Sequence, residues 1–193
     1  AIDIGINIKI SQALQLDSTS WRNPSVAQAQ LANKQTADRD YQAARDTIAL
    51  GSLFAAKPKL QNALRIYQQI GDRQGQYNCL IELARIDYKE ARYQQAGIKQ
   101  RQALQVINYS SRDGRAKTLE GLIALELGDY REAASKLRVG VHELQVSSQS
   151  DRLGKQELNE AKIALGETYA HQGLYKQAEN YLYQTVNSPQ SNS

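Results

Sequence analysis

Residues 128–137 read GDYREAASKL and residues 173–182 read GLYKQAENYL, with Gly, Tyr, Ala and Leu at matching places. A looser third copy, ARYQQAGIKQ, occupies residues 91–100. The tyrosines of the three copies, Tyr93, Tyr130 and Tyr175, lie 37 and 45 residues apart, the spacing of a helical hairpin with a variable connection. A second mark recurs upstream of each copy: DRQG at 72–75, SRDG at 111–114 and DRLG at 151–154.

Each mark has a physical role. Asp72, Asp151 and either Ser111 or Asp113 are suited to accept from the free amides of a first helical turn, and a carboxylate there complements the helix dipole. Gly128 and Gly173 follow apolar runs and suit the left-handed residue that ends one helix and reverses the chain. Between the marks the apolar residues recur at helical spacing, as in Leu80, Leu83 and Ala84, or Leu119, Leu122 and Ile123. The pattern predicts helices at 72–90, 93–108, 114–127, 129–146, 152–172 and 174–187. Upstream, Asn23 and Pro24 form a helix start, and Pro58 is expected at the beginning of a helix running to Ile70. The segment 23–71 thus reads as a degenerate fourth hairpin. At the beginning, Ile2, Ile4, Ile6, Ile8 and Ile10 alternate as in a strand but also fall on one helical stripe.

Composition bounds the class. The 193 residues are 41% hydrophobic and 23% charged with three prolines, which suits a folded chain. The net charge of +4 is scattered rather than gathered in a block. One cysteine, Cys79, excludes an intrachain disulfide and leaves the compartment open, cytoplasmic or, after removal of a leader, periplasmic. No apolar run approaches the ~20 residues of a membrane span. A start at Ala1 and the absence of methionine lead us to expect an excised domain or a processed product.

The residues that carry chemistry are sparse. His142 and His171 are the only histidines, and Glu167 with His171 gives two ligands where a catalytic zinc ordinarily has three, so no metal is assigned. Cys79 sits inside an expected helix beside Leu80 and reads as core. The glycines are isolated punctuation without a phosphate cradle. No catalytic residue and no cofactor is therefore expected. The interleaving of Tyr with Arg in ELARIDYKEARYQQ admits single-stranded nucleic acid, but tyrosines at the repeat period are better explained as wedges between helices.

The stretch LEGLIALELGDYREAASKL resembles a tetratricopeptide repeat, with Gly121, Gly128, Tyr130, Ala133 and Leu137 in order. AKIALGETYAHQGLYKQAENYL is similar again, through Leu165, Gly166, Tyr169, Gly173, Tyr175, Ala178 and Leu182. The segment carrying Leu80, Leu83, Ala84, Tyr93 and Ala96 resembles the long-linker variant of bacterial arrays. Lys117, Lys162 and Asp87 depart from the pattern, standing where the family places apolar or aromatic residues. The resemblance implies an all-α, right-handed superhelical solenoid of antiparallel helix hairpins. It assigns residues 1–22 to the close of an N-terminal helix or partial repeat, because QALQLD is similar to the end of a second helix. Residues 72–187 become three hairpins, and 188–193 a disordered tail. By the family's geometry a concave groove would be lined by Tyr41, Arg45, Asn78, Arg85, Tyr88, Lys89, Arg115, Thr118, Leu122, Glu126, Ile163 and Glu167, its first half basic through Arg45, Arg85, Lys89 and Arg115. The implied function is a non-catalytic scaffold that holds a peptide or protein partner. Nucleic-acid binding is the alternative.

Overall fold

The computed structural model describes residues 24–108, 113–147 and 152–186. The expectations for 1–22 and 188–193 lie outside the described residues. Eight helices follow in order: α1 Pro24–Ala49, α2 Leu53–Ile70, α3 Arg73–Lys89, α4 Tyr93–Val106, α5 Gly114–Glu126, α6 Tyr130–Ser147, α7 Arg152–His171 and α8 Tyr175–Val186. The ends of α3 to α8 fall within two residues of those expected. No strand occurs among the described residues. Consecutive helices pack as antiparallel hairpins, and the hairpins stack into an all-α solenoid. The first helices α1, α3, α5 and α7 line the inside, where α3 meets α5, α5 meets α7, and α7 reaches back to α1.

The punctuation acts locally, as its chemistry dictates. The Asp72 carboxylate accepts from the Gly75 amide at 2.9 Å and Asp113 from the Ala116 amide at 2.8 Å, which selects Asp113 over Ser111 as the cap of α5. Asp129 accepts from the Glu132 amide at 2.9 Å and starts α6 in the same way. Helices end on a left-handed residue at Gly51, Gly71, Gly128 and Gly173, with φ between 73° and 82°. In each case this residue and the next donate their amides back to the last helical turn, as Gly128 does to Leu125 at 3.0 Å and Asp129 to Ala124 at 2.9 Å. The turn between α3 and α4 makes the same closure on Ala91, at φ 58°, where a Cβ is strained.

Pro58 departs from its expected place. It lies inside α2, which begins five residues earlier at Leu53. The missing amide would have paired with the Phe54 carbonyl, which belongs to the exposed first turn, and Phe54 itself is 90% exposed, so water can serve instead.

Small residues set the spacing of the hairpins. A Cβ on Gly121 would lie 2.5 Å from Leu137 Cγ and 3.0 Å from the Leu137 backbone nitrogen, and one on Gly166 would lie 2.8 Å from Leu182 Cγ. Around these crossings the core divides into three apolar clusters along the stack. Cys79 belongs to the first, wholly buried, and burial pushes its thiol up to about 12.

Two measurements check this account. Gly121→Leu is expected to lower unfolding free energy by about 2–3 kcal/mol in urea titrations, because Leu137 and its backbone block the new side chain. Gly97→Ala, whose Cβ would meet only Arg101 Nη1 at 3.5 Å, should instead gain about 0.5–1 kcal/mol; equal losses at the two sites would refute the assigned crossing. Ala91→Gly should raise the thermal midpoint through a gain of about 0.5–1 kcal/mol, since relief of the left-handed strain outweighs the added chain entropy. A lower midpoint would contradict it.

Candidate functional site

The inner helices bring charges of both signs into one buried network. Arg115 on α5 donates from Nη2 to Glu82 of α3 at 2.6 Å and from Nε to Glu157 of α7 at 3.1 Å. Arg45 of α1 pairs with Glu82 at 3.6 Å. Arg85, on α3 one turn after Glu82, pairs with Glu157 at 3.6 Å and hydrogen-bonds Glu160, which also accepts from Lys89 at 2.8 Å. Glu82 and Glu157 are each 1% exposed and Arg85 is 7% exposed. Burial would push the Glu157 and Glu160 carboxyls up, but Arg115 and Arg85 beside the first, and Arg85 and Lys89 beside the second, outweigh it and hold both below the usual range. Burial alone would likewise lower the Arg85 and Arg115 guanidiniums, and the facing carboxylates raise them instead.

Next to this network lies a groove of about 580 Å³. Seven of the twelve sequence-predicted residues come together there: Arg85, Tyr88, Lys89, Leu122, Glu126, Ile163 and Glu167. Its floor is apolar, from Leu122, Leu125, Ile163 and Ala164, and the α1–α2 turn closes one side with Ile48, Gly51 and Leu53. Glu126 is fixed at the mouth, accepting from the hydroxyls of Tyr88 and Tyr93 at 3.1 Å each. Tyr93 thus ties hairpin to hairpin from its hydroxyl.

Tyr41, Arg45 and Arg115 belong to the charge network and not to the groove lining, Tyr41 lying beside Arg115 and Arg45. Asn78 is half-buried on α3 and accepts from Gln74 at 3.2 Å. Thr118 is misassigned by the sequence reading. It is wholly buried within its own hairpin, where its backbone nitrogen would lie 2.9 Å from a Cβ on Gly140 of α6. The expectation of a basic first half needs the same correction. Arg45, Arg85, Lys89 and Arg115 all face Glu82, Glu157 or Glu160, the first two and Arg115 inside the fold and Lys89 at its surface, so each cation is offset by a carboxylate. Sequence reasoning missed these three carboxylates. The available signal for Glu157 and Glu160 was their helical spacing with Glu167 along α7, opposite in sign to the Arg85 and Lys89 pair on α3.

A second polar cluster stands at the α3–α4 turn. Asp87, with a side chain only 2% exposed, accepts from Arg92 and Lys99 and pairs with Lys57 of α2 at 3.7 Å. Burial would raise its carboxyl, and Lys99 and Arg92 together lower it. Among the described residues no group of three or more His, Cys, Asp or Glu side chains is arranged to hold a metal ion, and no helix is long and apolar enough to cross a membrane.

No family model matches the chain, and no curated protein matches it. Among solved structures it is similar to one described as a functional characterization of Pseudomonas aeruginosa PilF, a tetratricopeptide-repeat protein, with a TM-score of 0.56 and 21% identity. The match covers 80% of this chain and 62% of that one. The likeness supports a tetratricopeptide-like repeat fold.

Removing one partner from the buried network should cost far more than a surface charge. Arg115→Met is expected to lose about 3–5 kcal/mol in urea unfolding at neutral pH, because Glu82 and Glu157 would remain buried with one cation fewer. The sign with pH follows from Glu157. Its lowered carboxyl contributes stability that is complete above the unfolded value of about 4.3 and is lost as pH falls through the lower folded value. The variant loses the largest cause of that depression, so its deficit should narrow on acidification; a constant gap from neutral pH to the acid limb of unfolding would contradict the network's role.

Proposed function

We propose that this protein is a scaffold that binds a peptide segment of a partner protein in the groove between its inner helices. The observation that carries this reading is the open apolar floor of Leu122, Leu125 and Ile163, flanked by three inner helices and a turn and bearing fixed polar groups at its mouth. Ile163 stands 41% exposed there, with apolar surface open to a partner. A groove of this kind accepts the apolar side chains of a helix or extended segment, while the surrounding polar groups set orientation.

The nucleic-acid alternative has less to rest on. Arg85, Lys89, Arg92 and Arg115 are ion-paired within the fold, and Tyr88 and Tyr93 donate their hydroxyls to Glu126. In the groove itself the cations beside the Tyr88 and Tyr93 rings are thus already engaged, whereas a single strand requires free cationic charge beside an aromatic face.

Selection of displayed random peptides against the full chain tests the reading. Peptides recovered on the wild type should lose at least about tenfold in affinity on Ile163→Asp, which places a charge on the groove floor. They should keep their affinity on Ile98→Asp, a comparably exposed apolar position (47%) on the outer helix α4. Equal losses at the two positions, or equal retention, would overturn it.

A further inference from the structure

The charges lining the groove do not cancel. Its two cations, Arg85 and Lys89, are both engaged by Glu160, and Arg85 also by Glu157. The two remaining carboxylates, Glu126 and Glu167, have no cationic partner among the described residues: Glu126 is held by tyrosine hydroxyls, and Glu167 is exposed on α7, one helical turn past Ile163. The mouth therefore offers acceptors without counter-charge beside an apolar floor, on a chain whose total charge is +4.

Building on the peptide-binding reading above, we propose that the groove selects a basic amphipathic segment, whose apolar side chains enter between Leu122, Leu125 and Ile163 while a Lys or Arg at its margin reaches Glu126 and Glu167. The sequence reading gave the first half of the groove a basic character through Arg45, Arg85, Lys89 and Arg115 and named no charge for the ligand. The stacking of the hairpins brings Glu157 and Glu160 of α7 onto Arg85 and Lys89 of α3 and Arg115 of α5 and so engages the cations. Glu126 is the best anchor, because two hydroxyls fix both of its oxygens and a bound cation would order little further.

The test uses two labelled helical peptides with identical leucines at helical spacing, one carrying lysine and the other glutamate on the remaining face, titrated into the full chain by fluorescence anisotropy. The lysine peptide should bind roughly five- to tenfold tighter, the effect of two partly exposed ion pairs. The net charge of the chain favours the glutamate peptide, so a lysine preference reports the groove and not the overall field. In Glu126→Gln with Glu167→Gln the preference should collapse while the glutamate peptide binds no worse, and the far-ultraviolet circular dichroism spectrum should stay that of the wild type, since the glutamine oxygen still accepts from one tyrosine hydroxyl. If both peptides bind alike, or the glutamate peptide binds tighter, and Ile163→Asp still abolishes binding, the charge inference fails and the peptide groove stands. A lysine preference that survives in the double variant also overturns it. If neither these nor the displayed peptides bind, both readings fall together.

Discussion

The arrangement of this molecule depends on one constraint: Glu82 and Glu157 are buried where the inner helices converge, and a buried carboxylate must be paired. Arg115 satisfies both, and Arg45 and Arg85 complete the set, so α1, α3, α5 and α7 are bound through a single cluster. Stacked repeats ordinarily contact only their neighbours, and their stability is close to a sum of nearest-neighbour interactions. Here the first inner helix touches the last. Ion pairs of this kind gain little over a well-packed apolar core, since desolvation offsets most of the attraction. Their contribution is geometric: the pairs hold inner helices of four hairpins in one mutual register.

The helices and their ends were legible in the sequence because their causes are local. An Asp that caps the amide three residues on, or a glycine that closes the last turn, acts within one short stretch, and DRQG or LGDY carries the whole signal. The repeat left a break between helices at 91–92, but nothing in the sequence marked Ala91 as the left-handed residue that it is. Pro58 misled because proline is read as a helix boundary, whereas a sixth-position proline deprives only a first-turn carbonyl that water can reach.

The site was half legible. Tyr88, Glu126, Ile163 and their neighbours project from inner helices at the spacing the repeat imposes, and they do converge. Thr118 did not, since its face of α5 is turned to Gly140 of its own hairpin. The electrostatics were hidden for a different reason. Glu82 and Arg115 are 33 residues apart and Arg85 and Glu160 are 75 apart, so no window along the chain contains the pairing. Charge counted helix by helix describes a surface only while that surface remains in water.

The departures from the repeat pattern show the same physics at smaller scale. Asp87 stands where an aromatic wedge is usual, and it is buried all the same, drawing Lys57, Arg92 and Lys99 from three segments to one carboxylate. Lys117 stands where a large apolar residue is usual, and it shares Glu120 with Lys136 of the facing helix, while Gln100 of the preceding hairpin donates to the same carboxylate at 2.9 Å. In both places a polar residue is accommodated by recruiting opposite charge across a helix junction, which fixes register as a wedge would and adds directionality. The groove inherits its character from this habit. The two cations that line it, Arg85 and Lys89, are committed to Glu157 and Glu160, and what remains at its mouth is Glu167 of α7 and the tyrosine-held Glu126, an outcome decided by how the hairpins close.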